Sequence, residues 1–350
     1  MHSGALAGTT QSFFEVTHIP NLSLVTGATG FVGAAVARCL QEAGYPLRLA
    51  HRESANLRNF KGLGGERVVA DLTQPASLDA AVAGCDAVFH VAADYRLWAR
   101  DPAQLFATNV DGTMALLRAA ARAGVGRFVY TSSVSTLKVF EDGRLSDESI
   151  DSSLEDMVGA YKRSKFLAER EVLAYAAATD MEVIVVNPST PVGPGDVRPT
   201  PTGKIVRDAA AGKIPAFVNT GLNIVHVDDV AEGHRLAFER GTDGRRYVLG
   251  GNNLSLQAIL AHVCQAAGRP VPRWQLPRRL IFPLAYVVEG WWWLAGRRDE
   301  PLLTLDGLRM ARYQMYFDSG RAVTELGYQS RPAAQALDDA LHWFQANPEI

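Results

Sequence analysis

The sequence predicts an α/β protein: a Rossmann-type doubly wound parallel sheet with a smaller C-terminal substrate domain. Three observations predict it. Short, Val-rich apolar runs alternate with helical stretches through roughly the first 190 residues, which reads as repeated βα units. The runs are apolar almost throughout, as strands covered on both faces by helices are. The first run leads straight into a glycine-spaced turn that opens a helix. Right-handed crossovers then bring all strand C-termini to one edge, where ligands bind.

In chain order, Leu22 to Thr26 reads as a strand and Val32 to Ala43 as a helix closed by Gly44. Strands follow at Leu47 to His51, Arg67 to Ala70 and Ala87 to Val91, then a helix from Ala103 to Ala123 that ends at Gly124. Arg127 to Thr131 is a strand, Glu155 to Ala178 a long Ala-rich helix, and Val183 to Asn187 a further strand. The texture then changes. Asn187 to Lys204 holds five of the 17 prolines and reads as a loop leaving the sheet. Beyond it, Pro, Trp and short helices dominate, apart from an expected strand pair around Asn223 to Val227 and Tyr247 to Leu249. The expected division is a loose extension at 1–20, a dinucleotide-binding domain at 21–190 to which 222–250 returns, and a substrate-binding or lid domain from 191–221 and 251–350.

Composition narrows the function. Lys plus Arg is 35 against 37 for Asp plus Glu, a net charge of −2 without the basic excess of a nucleic-acid binder. Apolar residues at 47 % place the chain among globular proteins. Cys39, Cys85 and Cys264 are far apart and lack CxxC spacing, so they read as buried thiols of a reducing cytoplasm. The histidines show no HxxxH or HExxH pairing, and no metal is inferred. No uncharged apolar run of about 18 residues exists to span a bilayer. The first 20 residues lack a basic segment followed by an apolar block, so no signal peptide is expected.

The turn after the first strand is Thr26-Gly27-Ala28-Thr29-Gly30-Phe31-Val32-Gly33, a GxxGxxG spacing. Gly27 allows the tight turn, Gly30 lets backbone approach a pyrophosphate, and Gly33 lets the helix pack close to the sheet. The helix N-terminus then offers its free N–H groups to phosphate. The second strand ends at His51-Arg52-Glu53. An Arg here suits a ribose 2′-phosphate, which favours NADP(H) over NAD(H), although Glu53 keeps NAD(H) open. Asp71 either accepts from the adenine amino group or caps the following turn. In Tyr161-Lys162-Arg163-Ser164-Lys165, Tyr161 and Lys165 stand four apart on one helical face. A cation one turn away favours phenolate, and the phenol then exchanges a proton with a substrate oxygen as hydride moves. Upstream, Tyr130-Thr131-Ser132-Ser133 closes a strand and supplies a hydroxyl to hold that oxygen.

On these residues the chain resembles the extended short-chain dehydrogenases/reductases, also called the NAD-dependent epimerase/dehydratase family. TGATGFVG, HVAA (His90 to Ala93), NVDGT (Asn109 to Thr113), YTSS, YKRSK, the NPST loop and HVDD (His226 to Asp229) stand in the family's order, between Leu22 and Phe344. DYRLW (Asp94 to Trp98), STPVGPGDVRPTPTG and GLNIVHVDDVAEGH resemble the hopanoid-associated sugar epimerase group, itself similar to dihydroflavonol 4-reductase. The resemblance implies Tyr161 as acid/base, Lys165 as its pKa-lowering partner and ribose ligand, and Ser133 as the hydroxyl contact. It implies Gly27, Thr29, Gly30, Phe31 and Val32 at the pyrophosphate, Arg52 at the 2′-phosphate, and Asp71 with Leu72 at the adenine. Val91, Ala92 and Ala93 would line the ribose–nicotinamide side and Pro188 the carboxamide side, with Thr131 completing the set. Asn109 would tune the active-site helix and backbone. A homodimer through two long sheet-domain helices is a further implication.

Two departures lean toward the reductase-like branch. Many sugar-nucleotide epimerases carry an acid where Arg52 stands, and follow the serine motif with VYG where this chain has Val134-Ser135-Thr136-Leu137-Lys138. The leading expectation is an NAD(P)-dependent oxidoreductase moving hydride between nicotinamide and a secondary alcohol or carbonyl of a small molecule, with hopanoid biosynthesis as the context the resemblance suggests. The alternatives are a sugar epimerase with tightly held NAD(P) and a non-catalytic dinucleotide sensor. Asp94, Tyr95, Arg96, Trp98, Lys204 and Arg207 are candidate substrate contacts or lid packing, and Asp228 and Asp229 are expected caps. Trp291-Trp292-Trp293, with Phe282, Tyr286, Arg297 and Arg298, reads either as a peripheral membrane belt or as a lid helix packed on the sheet domain or a second subunit. The packed helix is the expectation carried forward.

Overall fold

A computed structural model describes residues 19–98, 101–297, 301 and 303–350. The expected N-terminal extension lies outside the described residues except for Ile19 and Pro20, as does Arg298. The strands are β1 (Ser23–Thr26), β2 (Leu47–His51), β3 (Glu66–Val69), β4 (Ala87–His90), β5 (Arg127–Thr131), β6 (Glu182–Pro188), β7 (Thr190–Val192), β8 (Ala216–Phe217), β9 (Gly221–His226), β10 (Arg246–Leu249), β11 (Asn252–Ser255), β12 (Trp274–Gln275) and β13 (Gln314–Met315). The helices are α1 (Phe31–Glu42), α2 (Pro75–Val82), α3 (Ala103–Phe106), α4 (Thr113–Arg122), α5 (Gly159–Ala176), α6 (Pro201–Ala210), α7 (Val227–Arg240), α8 (Leu256–Ala266), α9 (Arg278–Leu294), α10 (Leu305–Met310) and α11 (Ala333–Ala346).

Seven parallel strands form the main sheet in the order β3-β2-β1-β4-β5-β6-β10. The order reverses between β1 and β4, which opens a crevice at their C-terminal ends. One face carries α1 and α7, whose Val36, Leu40, Val230 and Phe238 pack on Val25, Phe89 and Val129. The other carries α2, α4 and α5, with Leu78, Leu117 and Val172 against Leu24, Val88 and Phe128. Strands buried from both sides explain why these runs lack alternation.

The two expected partner strands do not pair with each other. β10 joins the main sheet beside β6, whereas β9 builds a second sheet with β7, β11 and β13. The intervening α7 returns the chain to the sheet face, so a long-range contact and not local sequence chose each strand's neighbour. α6, α8 and α11 cover this second unit through Val206, Ile259, Leu260 and Leu337.

The long helix starts at Gly159 and not near Glu155. Gly159 takes φ +81° and Val158 is extended, while Leu154–Asp156 forms a separate turn in which Asp156 accepts from Ser153 N at 2.9 Å. Between α3 and α4 a π-helical stretch, Ala107–Gly112, widens the predicted helix around Asn109. Helix α9 packs against α10 and leaves Leu280, Leu284, Val287, Trp291 and Leu294 exposed. Asp228 and Asp229 lie inside the first turn of α7, whose N-cap is His226, accepting from Asp228 N. Asp229 binds Arg331 through its main-chain N–H and its guanidinium. The thiols are all free, with Cys39 partly buried and pushed up to about 12 by desolvation.

Gly33 is the tightest joint of the first turn, since a Cβ there would lie 2.2 Å from Gly27 O. Gly33→Ala should therefore destabilise the protein by about 1–3 kcal/mol, measured by urea unfolding. Gly44→Ala, in open space at φ +83°, should cost only about 1 kcal/mol. Equal effects would rule out the close approach.

Candidate active site

The glycine turn sits where β1 meets β4. Gly27 adopts φ +73°, and a Cβ on it would stand 2.7 Å from Ala92 N. The turn thus leans directly on the backbone of Val91 and Ala92. Thr26 joins the two strands: its Oγ1 accepts from Val91 N and Ala92 N at 3.2 Å each. With its lone pairs used, Thr26 donates its own proton to His90 Nδ1, 2.8 Å away. His90 then carries its proton on Nε2 and donates to Thr113 Oγ1 at 3.0 Å. Burial first, and the Lys165 charge second, push His90 down to about 3, so it stays neutral.

The residues present fit a dinucleotide phosphate. N-cap Gly30 has no side-chain cap, and no acid occupies the first turn of α1. Orphaned N–H groups at a helix start are an anion site. Gly27, Thr29, Gly30, Phe31 and Val32 line that start, all partly buried. Asn59, which the motif search passed over, ties the turn in place: its Nδ2 donates to Thr29 O and Gly30 O at 3.3 Å and to Gly195 O at 3.2 Å.

Arg52 follows β2 directly and is exposed, as is Glu53. Asp71 takes the turn-capping role, with Oδ1 accepting from Thr73 N at 2.9 Å and Thr73 Oγ1 at 2.8 Å. Leu72 meets Gly112 so closely that a Cβ on the glycine would lie 2.7 Å from Leu72 Cβ. Val91, Ala92 and Ala93 run from the end of β4, and Pro188 closes β6. Thr131 does not aim its hydroxyl at the cleft: Oγ1 donates to His234 Nε2 at 2.8 Å, because His234 Nδ1 donates to Val230 O. Its contribution is the carbonyl described below.

Lys165 is buried, and its Nζ donates to Tyr130 Oη and Thr131 O, each at 2.8 Å. Hydrogen bonds to a charged group contribute about 1.5–3 kcal/mol each. Desolvating an ammonium costs several kcal/mol. Desolvation wins, and Lys165 falls to about 7 despite the opposing pull of Glu169. Thr113 lies near enough to Tyr130 to oppose the burial that raises its pKa, so polar side chains lie between Lys165 and Tyr130 on one side and Thr113, His90, Thr26 and the glycine turn on the other. Tyr130 was not a site candidate from the sequence; its buried hydroxyl needs a partner and finds one in Lys165.

Tyr161, on the first turn of α5, is partly buried. Its pKa departs from expectation. Burial, the largest cause, raises it; Ser133 and Ser135 lower it, and the nearby Asp94 charge raises it further. Lys165 directs its ammonium to Tyr130 and Thr131. Ser133 Oγ accepts from Ser135 N at 3.1 Å. Ser135 Oγ lies near enough to act on the phenol yet makes no hydrogen bond of ordinary geometry. Behind Ser133, Asn187 Nδ2 donates to Ser133 O at 3.1 Å and to Glu169 Oε2 at 2.7 Å, and Glu169 pairs with Arg246 at 3.0 Å. This buried polar cluster fixes the serine backbone and was not visible as a motif.

Asn109 performs the positioning expected of it. Its Oδ1 accepts from Asp94 N at 2.8 Å, and its Nδ2 donates to Asp94 O at 2.9 Å and Ser164 Oγ at 3.0 Å. Ser164 in turn donates to Tyr161 O at 2.8 Å. The loop after β4 is thereby fastened to the helix that carries Tyr161. In that loop Asp94 is paired with Arg96 at 2.9 Å, and Tyr95 donates to Arg198 O at 3.3 Å. Trp98 is partly buried. Arg207 is engaged by Asp208 and by Ile350 O, so it packs the lid. Lys204 and Arg207 both draw down the pKa of buried Asp196, which burial still holds at about 6. No His/Cys/Asp/Glu group able to hold a metal occurs among the described residues.

The sequence model of the NAD dependent epimerase/dehydratase family matches residues 23–250. A putative dihydroflavonol 4-reductase of Synechocystis sp. is 45% identical over 338 residues, covering 95% of this chain and 97% of that protein. Sterol demethylase protein B of Methylococcus capsulatus is 32% identical over 92% of this chain and 98% of its own. Among solved structures, gox2253 superposes with a TM-score of 0.85 at 47% identity, covering 94% of this chain and 99% of that one. A nucleoside-diphosphate-sugar epimerase from Pseudomonas aeruginosa superposes with a TM-score of 0.77 at 25% identity, covering 93% and 98%.

The Lys165 environment has a measurable consequence. Its pKa is about 7 when folded against an ordinary 10.5, so below pH 7 both states are protonated and burial costs its full amount. Between these values the unfolded chain binds more protons, and this contribution to stability rises with pH. Lys165→Met lacks it. The variant's stability relative to the native protein should be greatest at or below pH 7 and decline toward about pH 10, by urea unfolding across that range. A difference that is flat with pH would show that the lysine is not held in a desolvated site.

Proposed function

The chain belongs to the NAD dependent epimerase/dehydratase family, and from that premise we propose that it is an NADP(H)-preferring reductase of a ketone or secondary alcohol borne on a small apolar molecule. Family membership makes it an NAD(P)-dependent enzyme rather than a passive dinucleotide sensor. The feature that carries the reductive reading is the placement of the Tyr161 phenol beside Ser133, with burial raising its pKa above the ordinary value. The relatives at 30% identity or more support it, since their names include dihydroflavonol 4-reductase and 3-beta-hydroxysteroid dehydrogenase. The sterol and steroid names support an apolar ring system as substrate, consistent with a role in hopanoid biosynthesis.

When bound, the nicotinamide supplies the hydride. Gly27, Gly30, Phe31 and Val32 would hold the pyrophosphate on the α1 N-terminus, with Arg52 at the 2′-phosphate. Ser133 Oγ donates to the substrate oxygen and fixes its position. Tyr161 Oη donates the proton that this oxygen needs as it becomes an alcohol. Lys165, near 7, exchanges protons readily at neutral pH and holds the ribose side of the cleft. Asp94, held by Asn109, stands beside the phenol and disfavours its ionisation.

A second reading, a sugar epimerase that oxidises a carbinol and returns the hydride, is favoured by the 25% identical epimerase from Pseudomonas aeruginosa. Purified protein with candidate ketones separates the two: net NADPH consumption supports the reductase, and turnover without net cofactor change supports the epimerase. Tyr161→Phe should lower turnover by about two to four orders of magnitude while NADPH affinity stays within a few-fold, by steady-state kinetics and fluorescence titration. Full activity in that variant would remove Tyr161 from the mechanism. Arg52→Asp should move the NADP/NAD preference toward NAD by about 10- to 100-fold, and an unchanged ratio of kcat/KM values would reject the 2′-phosphate assignment.

A further inference from the structure

Helix α9 packs one side against α10 and turns the other outward. Of its 17 residues, Ala285 is the one that is buried. Leu280, Leu284, Val287, Trp291 and Leu294 are 75%, 57%, 68%, 64% and 73% exposed. Their spacing of four, three, four and three residues aligns them on one face of the helix. Tyr286 and Trp293 flank the stripe, and Trp274, 74% exposed, precedes it. A helix of this length is about 25 Å long, and so continuous an apolar surface marks a contact with something else.

Charge identifies the occupant. Arg273, Arg278 and Arg279 gather at the N-terminal end of α9 with no acid before Glu289, in a chain whose net charge is −2. Glu289 is engaged, accepting from Leu305 N at 2.6 Å. A parallel pairing of α9 with a second copy would set Arg278 and Arg279 against their own counterparts. An anionic lipid surface meets the same pattern favourably, with arginines at phosphates, Trp and Tyr at headgroup depth, and Leu and Val in the acyl boundary. No helix among the described residues is long and apolar enough to cross a membrane, and Pro283 lies within α9. A helix of this kind lies in the plane of the interface.

We propose that α9 docks the protein onto an anionic bilayer surface. The docking element is braced against the site. Glu289 holds the start of α10, and Asp306 of α10 abuts Gly159, where a Cβ would lie 2.9 Å from Oδ2. Tyr161 follows two residues later on α5. The bilayer therefore meets the protein on the side from which the catalytic helix is approached. The inference rests on α9 itself and holds whichever redox reaction the site performs.

The test uses the full chain and two sets of vesicles, phosphatidylcholine alone and phosphatidylcholine mixed with phosphatidylglycerol, with co-sedimentation and tryptophan emission as readouts. Binding to the mixed vesicles is expected, with a blue shift and a loss of affinity at high salt. Val287→Glu with Trp291→Glu should lower vesicle affinity more than tenfold while NADPH affinity is retained. If that pair misfolds, Arg278→Gln with Arg279→Gln should weaken binding by about fivefold per arginine. No binding to either vesicle, or binding that neither pair disturbs, overturns the proposal. So does a dimer that the Val287/Trp291 pair dissociates without any vesicle binding, which would assign the face to a contact between copies.

Discussion

The hydroxyl of Thr26 is the joint on which the cleft depends. It takes two main-chain N–H groups from the end of β4 and gives its proton to His90, fastening β1 to β4 where the sheet order reverses. Gly27 can then rest on Ala92, and the start of α1 is left open toward the crevice. The same hydroxyl settles the tautomer of His90, which donates to Thr113, close to the Tyr130 that Lys165 binds. The phosphate end and the proton-transfer end of the cleft are thus neighbours in one buried polar layer. Such layers are rigid when each member is satisfied and costly when one is not.

Burial dominates the electrostatics of this site. It lowers Lys165, lowers His90 and raises Tyr161, in each case as the largest cause. A neighbouring charge is the smaller influence. For Tyr161 the helical spacing of four residues from Lys165 suggested a phenol made acidic by a cation. Spacing along a helix sets which face a side chain shares, but not where its flexible end points. Two acceptors at the end of β5 take the ammonium's hydrogen bonds, while Ser133, Ser135 and Asp94 act on the phenol.

The framework of the cleft was largely legible from the amino-acid order. The βα alternation, the glycine turn, the strand that leads to Ser133 and the helix carrying Tyr161 and Lys165 follow from local patterns whose physical causes act over a few residues. Asn59, Asn187, Glu169 and Tyr130 were not legible as site residues. Their partners lie 18 to 136 positions away, at Glu169 and Gly195 among others, and no short motif encodes such separations. The pairing of β9 and β10 failed for the same reason: both are short apolar strands, and only the packing of α7 on α1 and the sheet decides which sheet each one joins.

Residue order by itself determined the doubly wound sheet and the glycine turn, because periodicity and glycine spacing are local constraints, and it nominated Ser133, Tyr161 and Lys165 as candidates. Tertiary structure alone decided the ionisation of those groups, since desolvation depends on what the rest of the chain places around them. It also decided that Thr131 faces His234 and that the Trp-bearing helix α9 is uncovered, because a side chain's surroundings come from elements remote in sequence.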